Sequence, residues 1–129
     1  MMKIIYLCIT DDKNIVLMII LESPISLSEL AAMAENLYGD MVKAVADVGR
    51  NRLALDAELH SDLESELIAE GSRQEDLWGF NLYPSIEGED FIEYDSLINI
   101  RPRQGNRSRD VEDAAVKAQI RRIVSEFIK

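Results

Sequence analysis

Met41-Val-Lys-Ala-Val-Ala-Asp-Val48 and Leu53-Ala-Leu-Asp-Ala-Glu-Leu-His60 are two alternating runs joined by Gly49-Arg-Asn-Arg52. A period of two puts successive side chains on opposite faces of a sheet, and a short Gly/Asn-bearing connection signals a hairpin. With Val48 opposite Leu53, the pairs Val48/Leu53, Ala46/Leu55, Ala44/Ala57 and Val42/Leu59 share one apolar face. Lys43 then faces Glu58 on the other side as a cross-strand ion pair. A one-residue slip would mix these faces. The small alanines point to a helix packed closely on the apolar face.

The flanking segments extend this unit into an antiparallel sheet. Residues 3–9 and 15–21 are β-branched and apolar and are separated by Asp11-Asp-Lys-Asn14, the pattern of another hairpin. Ser26-Leu-Ser-Glu29 is a capping box that opens a helix with Leu27, Leu30, Ala31, Ala34 and Leu37 on one stripe, stopped at Gly39. Ser61-Asp-Leu-Glu64 reads as a second capping box, opening a short helix that ends at Gly71. Leu77–Tyr83 alternates, with Trp78, Phe80 and Leu82 on one side, and Pro84 closes it. Phe91–Arg101 reads as one long strand ended by Pro102, its more polar face carrying Phe91 and Leu97 exposed. Asp110 is the expected N-cap of a terminal helix with Val116, Ile120, Ile123, Val124 and Phe127 as its stripe. The expected fold is α+β: an antiparallel sheet of five to six strands with three helices, mainly packed on one face.

The length of 129 residues suits one domain, 1–129, able to bury about two thirds of its unfolded surface. The net charge of −10 is unevenly placed: −14 over residues 1–100, +4 over 101–109 and zero over 110–129. An acidic body repels nucleic acid, so bulk DNA binding is disfavoured. Cys8 is the only cysteine, which excludes an intramolecular disulfide and a Cys-rich zinc site and reads as a small buried hydrophobe. No signal peptide is legible, and Ile15–Leu21 is too short to span a bilayer, so a cytoplasmic location and no membrane partner are expected.

Several strings resemble a small uncharacterised prokaryotic family, a domain of unknown function. They are Gly39-Asp-Met-Val-Lys-Ala-Val45, Glu58-Leu-His60, Gly71-Ser-Arg-Gln-Glu-Asp-Leu-Trp-Gly79, Asn81-Leu-Tyr-Pro84, Ile98-Asn-Ile-Arg-Pro102 and Gly105-Asn-Arg-Ser-Arg109. The resemblance runs from about Met18 to the C-terminus. It implies that residues 1–17 are an N-terminal extension supplying a hairpin strand, and it brings no catalytic residues with it.

Two constellations carry chemistry. Four arginines, 101, 103, 107 and 109, fall in nine residues with no acid between them. Guanidinium forks suit phosphate or carboxylate, Gly105 allows close approach, and a helix start follows. Arg101, Asn106, Arg107, Ser108 and Arg109 are therefore the candidate anion site; the structural alternative is that these arginines clamp the protein's own acids. The second constellation is Asp56, Glu58 and His60, alternating on one strand and so pointing to one face. These three are the catalytic candidates, and with Asp95 they are the candidate ligands of Mg²⁺ or Mn²⁺; the structural alternative is a solvated sheet face. No cofactor is otherwise expected, and no Walker loop, nucleophile elbow or dinucleotide fingerprint is present.

Three functions follow. The leading one is a non-catalytic binding module whose open polar sheet face and Arg-rich loop recognise a small anionic ligand, RNA phosphate or an acidic partner segment. The others are a small metal-dependent hydrolase or phosphoesterase, and a homodimer with arginines docked on the partner's acids.

Overall fold

A computed structural model describes the backbone of residues 3–9 and 15–129 and the side chains of residues 18–129. The expected turn Asp11–Asn14 and the side chain of Cys8 lie outside the described residues. Six strands form one antiparallel sheet: β1 (Lys3–Ile9), β2 (Ile15–Leu21), β3 (Val42–Asp47), β4 (Arg52–Leu55), β5 (Leu77–Leu82) and β6 (Ile92–Glu93), in the order β1-β2-β4-β3-β5-β6. Among the described residues three helices complete the α+β fold: α1 (Leu27–Leu37), α2 (His60–Ala69) and α3 (Ala114–Phe127).

Among the described side chains, the central strands are covered on both faces. On one, Ala44, Ala46, Leu53, Leu55, Phe80 and Trp78 pack with Leu30 and Ala34 of α1 and Ile120, Ile123 and Val124 of α3. Ala44 and Ala46 are fully buried there, which is how both helices come close to the central strands. On the other face, Val45, Ala54 and Leu77 pack with Leu63 and Leu67 of α2 and with Ile98. The open polar sheet face that would have recognised a ligand is therefore absent: α2 and the segment around Ile98 cover it.

Caps follow local chemistry. Ser26 accepts from the Glu29 N–H at 3.0 Å, and the Glu29 carboxylate faces the Ser26 N–H, so the first capping box is real. Gly71, at φ +98°, closes α2: its N–H reaches the Ile68 carbonyl and the Ser72 N–H reaches that of Leu67.

Four local expectations are corrected. Asp47 faces Arg52 and Val45 faces Ala54, so the β3/β4 register is two residues from the expected one. The even shift keeps Ala44, Ala46, Leu53 and Leu55 on one face but ends β4 at Leu55, where Asp56 turns left-handed at φ +74°. Asp tolerates that conformation better than most residues. Beyond it, Glu58 lies in a bend and His60 opens α2, so no Asp56/Glu58/His60 strand stripe forms. The Lys43 carbonyl instead accepts the Asp56 N–H at 3.2 Å, and Leu59, expected in the core, is exposed.

Second, α2 starts at His60 with Leu59 as N-cap and no side-chain cap, so Ser61 lies inside the first turn and its capping box does not form. Third, the long strand over 91–101 is replaced by two paired residues, Ile92 and Glu93, followed by 3-10 turns at Leu97–Asn99 and Pro102–Gln104. Gly79 explains the replacement. Its N–H donates to Asn99 Oδ1 and its carbonyl accepts from Asn99 Nδ2, both at 2.9 Å, so one side-chain amide takes the place of a neighbouring strand. Fourth, α3 is capped by Asp113, which accepts from the Ala115 N–H at 2.8 Å, and not by Asp110.

Candidate functional site

The arginine-rich loop spends most of its polar groups on its own chain. The Arg101 guanidinium lies 4.5 Å over the Trp78 ring. Its Nε donates to the Ile98 carbonyl at 2.9 Å and its Nη1 to that of Gln74 at 2.8 Å, while Nη2 donates to the Leu77 carbonyl. Asn106, 4% exposed, donates to the carbonyls of Asn99, Ser108 and Asp110 and accepts the Glu112 N–H. The backbone of the loop does form an anion-accepting nest, and Glu112 fills it. One carboxylate oxygen accepts from the Arg107 N–H at 2.8 Å, the Ser108 N–H at 2.9 Å and the Ser108 hydroxyl at 2.7 Å. The Ser108 hydroxyl, and next the Arg107 N–H, hold the Glu112 carboxyl below its usual range. The Arg107 side chain is exposed, and Arg109 turns away from the nest to pair with Asp95.

Arg109 leads to a different place. It lines a cleft of about 310 Å³ with Lys43, Leu59, His60, Ser61 and Leu97. Lys43 comes from the middle of the sheet, Leu59 to Ser61 from the uncapped start of α2, and Leu97 from a 3-10 turn. Gly79 sets the depth of this side of the molecule: a Cβ there would lie 2.6 Å from Ser96 Oγ, so only glycine lets this segment settle on β5.

His60 is buried, with Nε2 2.8 Å from the Phe80 carbonyl. A carbonyl only accepts, so Nε2 carries the proton and Nδ1 the lone pair. Burial pushes the imidazole down to about 4; the Phe80 carbonyl pulls upward, Lys43 pushes further down, and Asn81 and Asp95 pull up. The ring is therefore neutral at pH 7. Burial also lowers the Lys43 amine, with Asp95 opposing, Arg109 reinforcing and Glu93 opposing. Lys43 Nζ sits 5.4 Å over the Tyr38 ring. Asn81, opposite Lys43 in the β3/β5 register, donates to Glu93 at 2.8 Å. Its Oδ1 is buried with no hydrogen-bond partner among the described residues.

The candidates from sequence are thus divided. His60 and Arg109 meet in the cleft, with Asp95 beside Arg109. Asp56 is half-buried, its carboxyl raised by burial, and Glu58 is exposed. Among the described residues no group of three or more His, Cys, Asp or Glu side chains is placed to hold a metal ion. Lys43, Leu59 and Ser61 were not legible as site residues, because the expected register paired Lys43 with Glu58 and buried Leu59.

The family model for a protein of unknown function (DUF5674) matches residues 19–127. The chain belongs to this family. The match begins within β2 and takes in α2, the 3-10 turns, the arginine loop and α3, so every residue of the cleft lies inside the family domain. No curated protein and no solved structure matches the chain. No helix among the described residues is long and apolar enough to cross a membrane.

Proposed function

We propose that this protein is a non-catalytic binding module whose cleft between α2 and the Ser96–Arg109 segment takes a small molecule with an anionic group and an apolar body. One observation carries the reading. Leu59 and Leu97, 57% and 67% exposed, are the most exposed large hydrophobic side chains among the described residues, and both line the cleft that holds Lys43 and Arg109. Binding sites are mostly apolar with a few placed polar groups, and a cation at an apolar wall selects an amphipathic anion. Within the arginine-rich loop, Arg109 is the residue that serves this role: it alone of the loop's arginines lines the cleft, and its pair with Asp95 is made through Nε.

The test is thermal stabilisation by benzoate, set against inorganic phosphate, which lacks the apolar body, and benzyl alcohol, which lacks the charge. Benzoate is expected to stabilise the protein most, and Arg109→Ala to remove the effect. Equal responses to benzoate and benzyl alcohol would sink the anionic part of the reading, and concentration-dependent self-association blocked by Leu97→Asp would favour a second copy of the chain as occupant.

A further inference from the structure

Lys43 is an unusual lysine. It stands on a central strand between Val42 and Ala44, both buried, and is itself only partly exposed. Among the described residues it forms no ion pair: of the two carboxylates whose charge acts on it, Asp95 pairs with Arg109, and Glu93 accepts from Asn81 and the Tyr83 hydroxyl. Its neighbours in the cleft are another cation, Arg109, and the neutral His60 imidazole, and the Tyr38 ring lies 5.4 Å from its Nζ. Amines that are desolvated or set beside another cation are the ones that act as nucleophiles, because more of the free base is present at neutral pH.

We propose that Lys43 is the nucleophile of this cleft and captures an anionic aldehyde or 2-oxo acid as a reversible imine. The inference rests on the anion-binding reading of the same cleft. The ammonium first gives its proton to solvent. The nitrogen lone pair then forms a bond to the carbonyl carbon as the C–O π pair moves to oxygen; proton transfer from nitrogen to oxygen gives the carbinolamine. The nitrogen lone pair then forms the C=N bond as the C–O bond breaks, and the hydroxyl leaves as water with the remaining N–H proton. Nothing is oxidised or reduced, and hydrolysis reverses the step. Arg109 supplies the charge that holds the ligand's carboxylate, and Leu59 and Leu97 cover its body.

The experiment is competitive labelling of the full chain with glyoxylate and cyanoborohydride near neutral pH, read by peptide mass mapping. The chain offers five lysines, 3, 13, 43, 117 and 129, so four serve as internal references without any substitution. Lys43 is expected to label at least ~10-fold faster than the other four, and benzoate is expected to slow Lys43 alone. Even labelling, or Lys43 as the slowest, overturns the inference. If benzoate stabilises the protein while labelling is even, the cleft reading survives and the imine does not. If Lys43 is fast but benzoate neither binds nor protects it, the nucleophile survives and the anion reading fails.

Discussion

The side-chain amide of Asn99 hydrogen-bonds both backbone groups of Gly79, its Oδ1 to the N–H and its Nδ2 to the carbonyl, each at 2.9 Å. The same Nδ2 also reaches the Arg109 carbonyl at 2.9 Å, so one fully buried asparagine joins β5, the Leu97–Asn99 turn and the start of the cleft wall.

Asn99→Ala strips the N–H and the carbonyl of buried Gly79 of their partner at once, while the Arg109 carbonyl keeps the Ser96 N–H. With each unpaired buried group costing about 1–3 kcal/mol, the variant is expected to lose at least ~2 kcal/mol in urea unfolding. A loss below ~1 kcal/mol would mean that solvent or another group pairs with Gly79.

Gly79→Ala tests the close approach from the other side. Its new Cβ would meet Ser96 Oγ at 2.6 Å and Ser96 Cβ at 2.7 Å. Overpacking of this kind costs about 1–3 kcal/mol, and the double variant with Ser96→Gly is expected to recover part of it. Additive losses in the pair would contradict the direct contact.

His60 gives stability a pH dependence with a defined sign. Its folded value is near 4, below the usual 6.5 of the unfolded chain, so between these limits the unfolded state binds the extra proton. Stability is therefore lost as pH falls through that window and loses nothing more below it. From pH 7 to pH 5 the loss is about 2 kcal/mol. Asp56 and Glu64, raised by burial, act with the opposite sign, so the measured quantity is wild type minus His60→Gln. A difference that stays flat over this range would place the histidine in solvent.

Glu112 occupies the nest made by Arg107 and Ser108. Glu112→Ala is expected to open that nest, so that sulfate stabilises the variant more than wild type in a thermal melt. An unchanged sulfate response would mean that the loop collapses once its internal anion is gone.

These residues also show where the sequence is readable. The Ser26 box, the α3 stripe and the Trp78/Phe80/Leu82 face announce themselves by local spacing, and they are found in place. The segment from Tyr94 to Asp113 does not. It is held by Asn99 and Arg101 reaching to the distant carbonyls of Gly79 and Gln74 and by Asn106 tying together carbonyls of its own loop, and such bonds leave no period in the chain. The same holds for the cleft. His60 and Arg109 attract attention by residue type alone, whereas Lys43 and Leu59 depend on a register that differs by two residues and on the left-handed turn at Asp56.

The central claim is that the cleft, and not the arginine loop, receives an amphipathic anion. Amide NMR of the ¹⁵N-labelled protein titrated with benzoate tests it most directly. Saturable shifts centred on Lys43, Leu59 to Ser61, Leu97 and Arg109 are the expected result. Shifts centred on Arg101 to Ser108, or none that saturate, would contradict it.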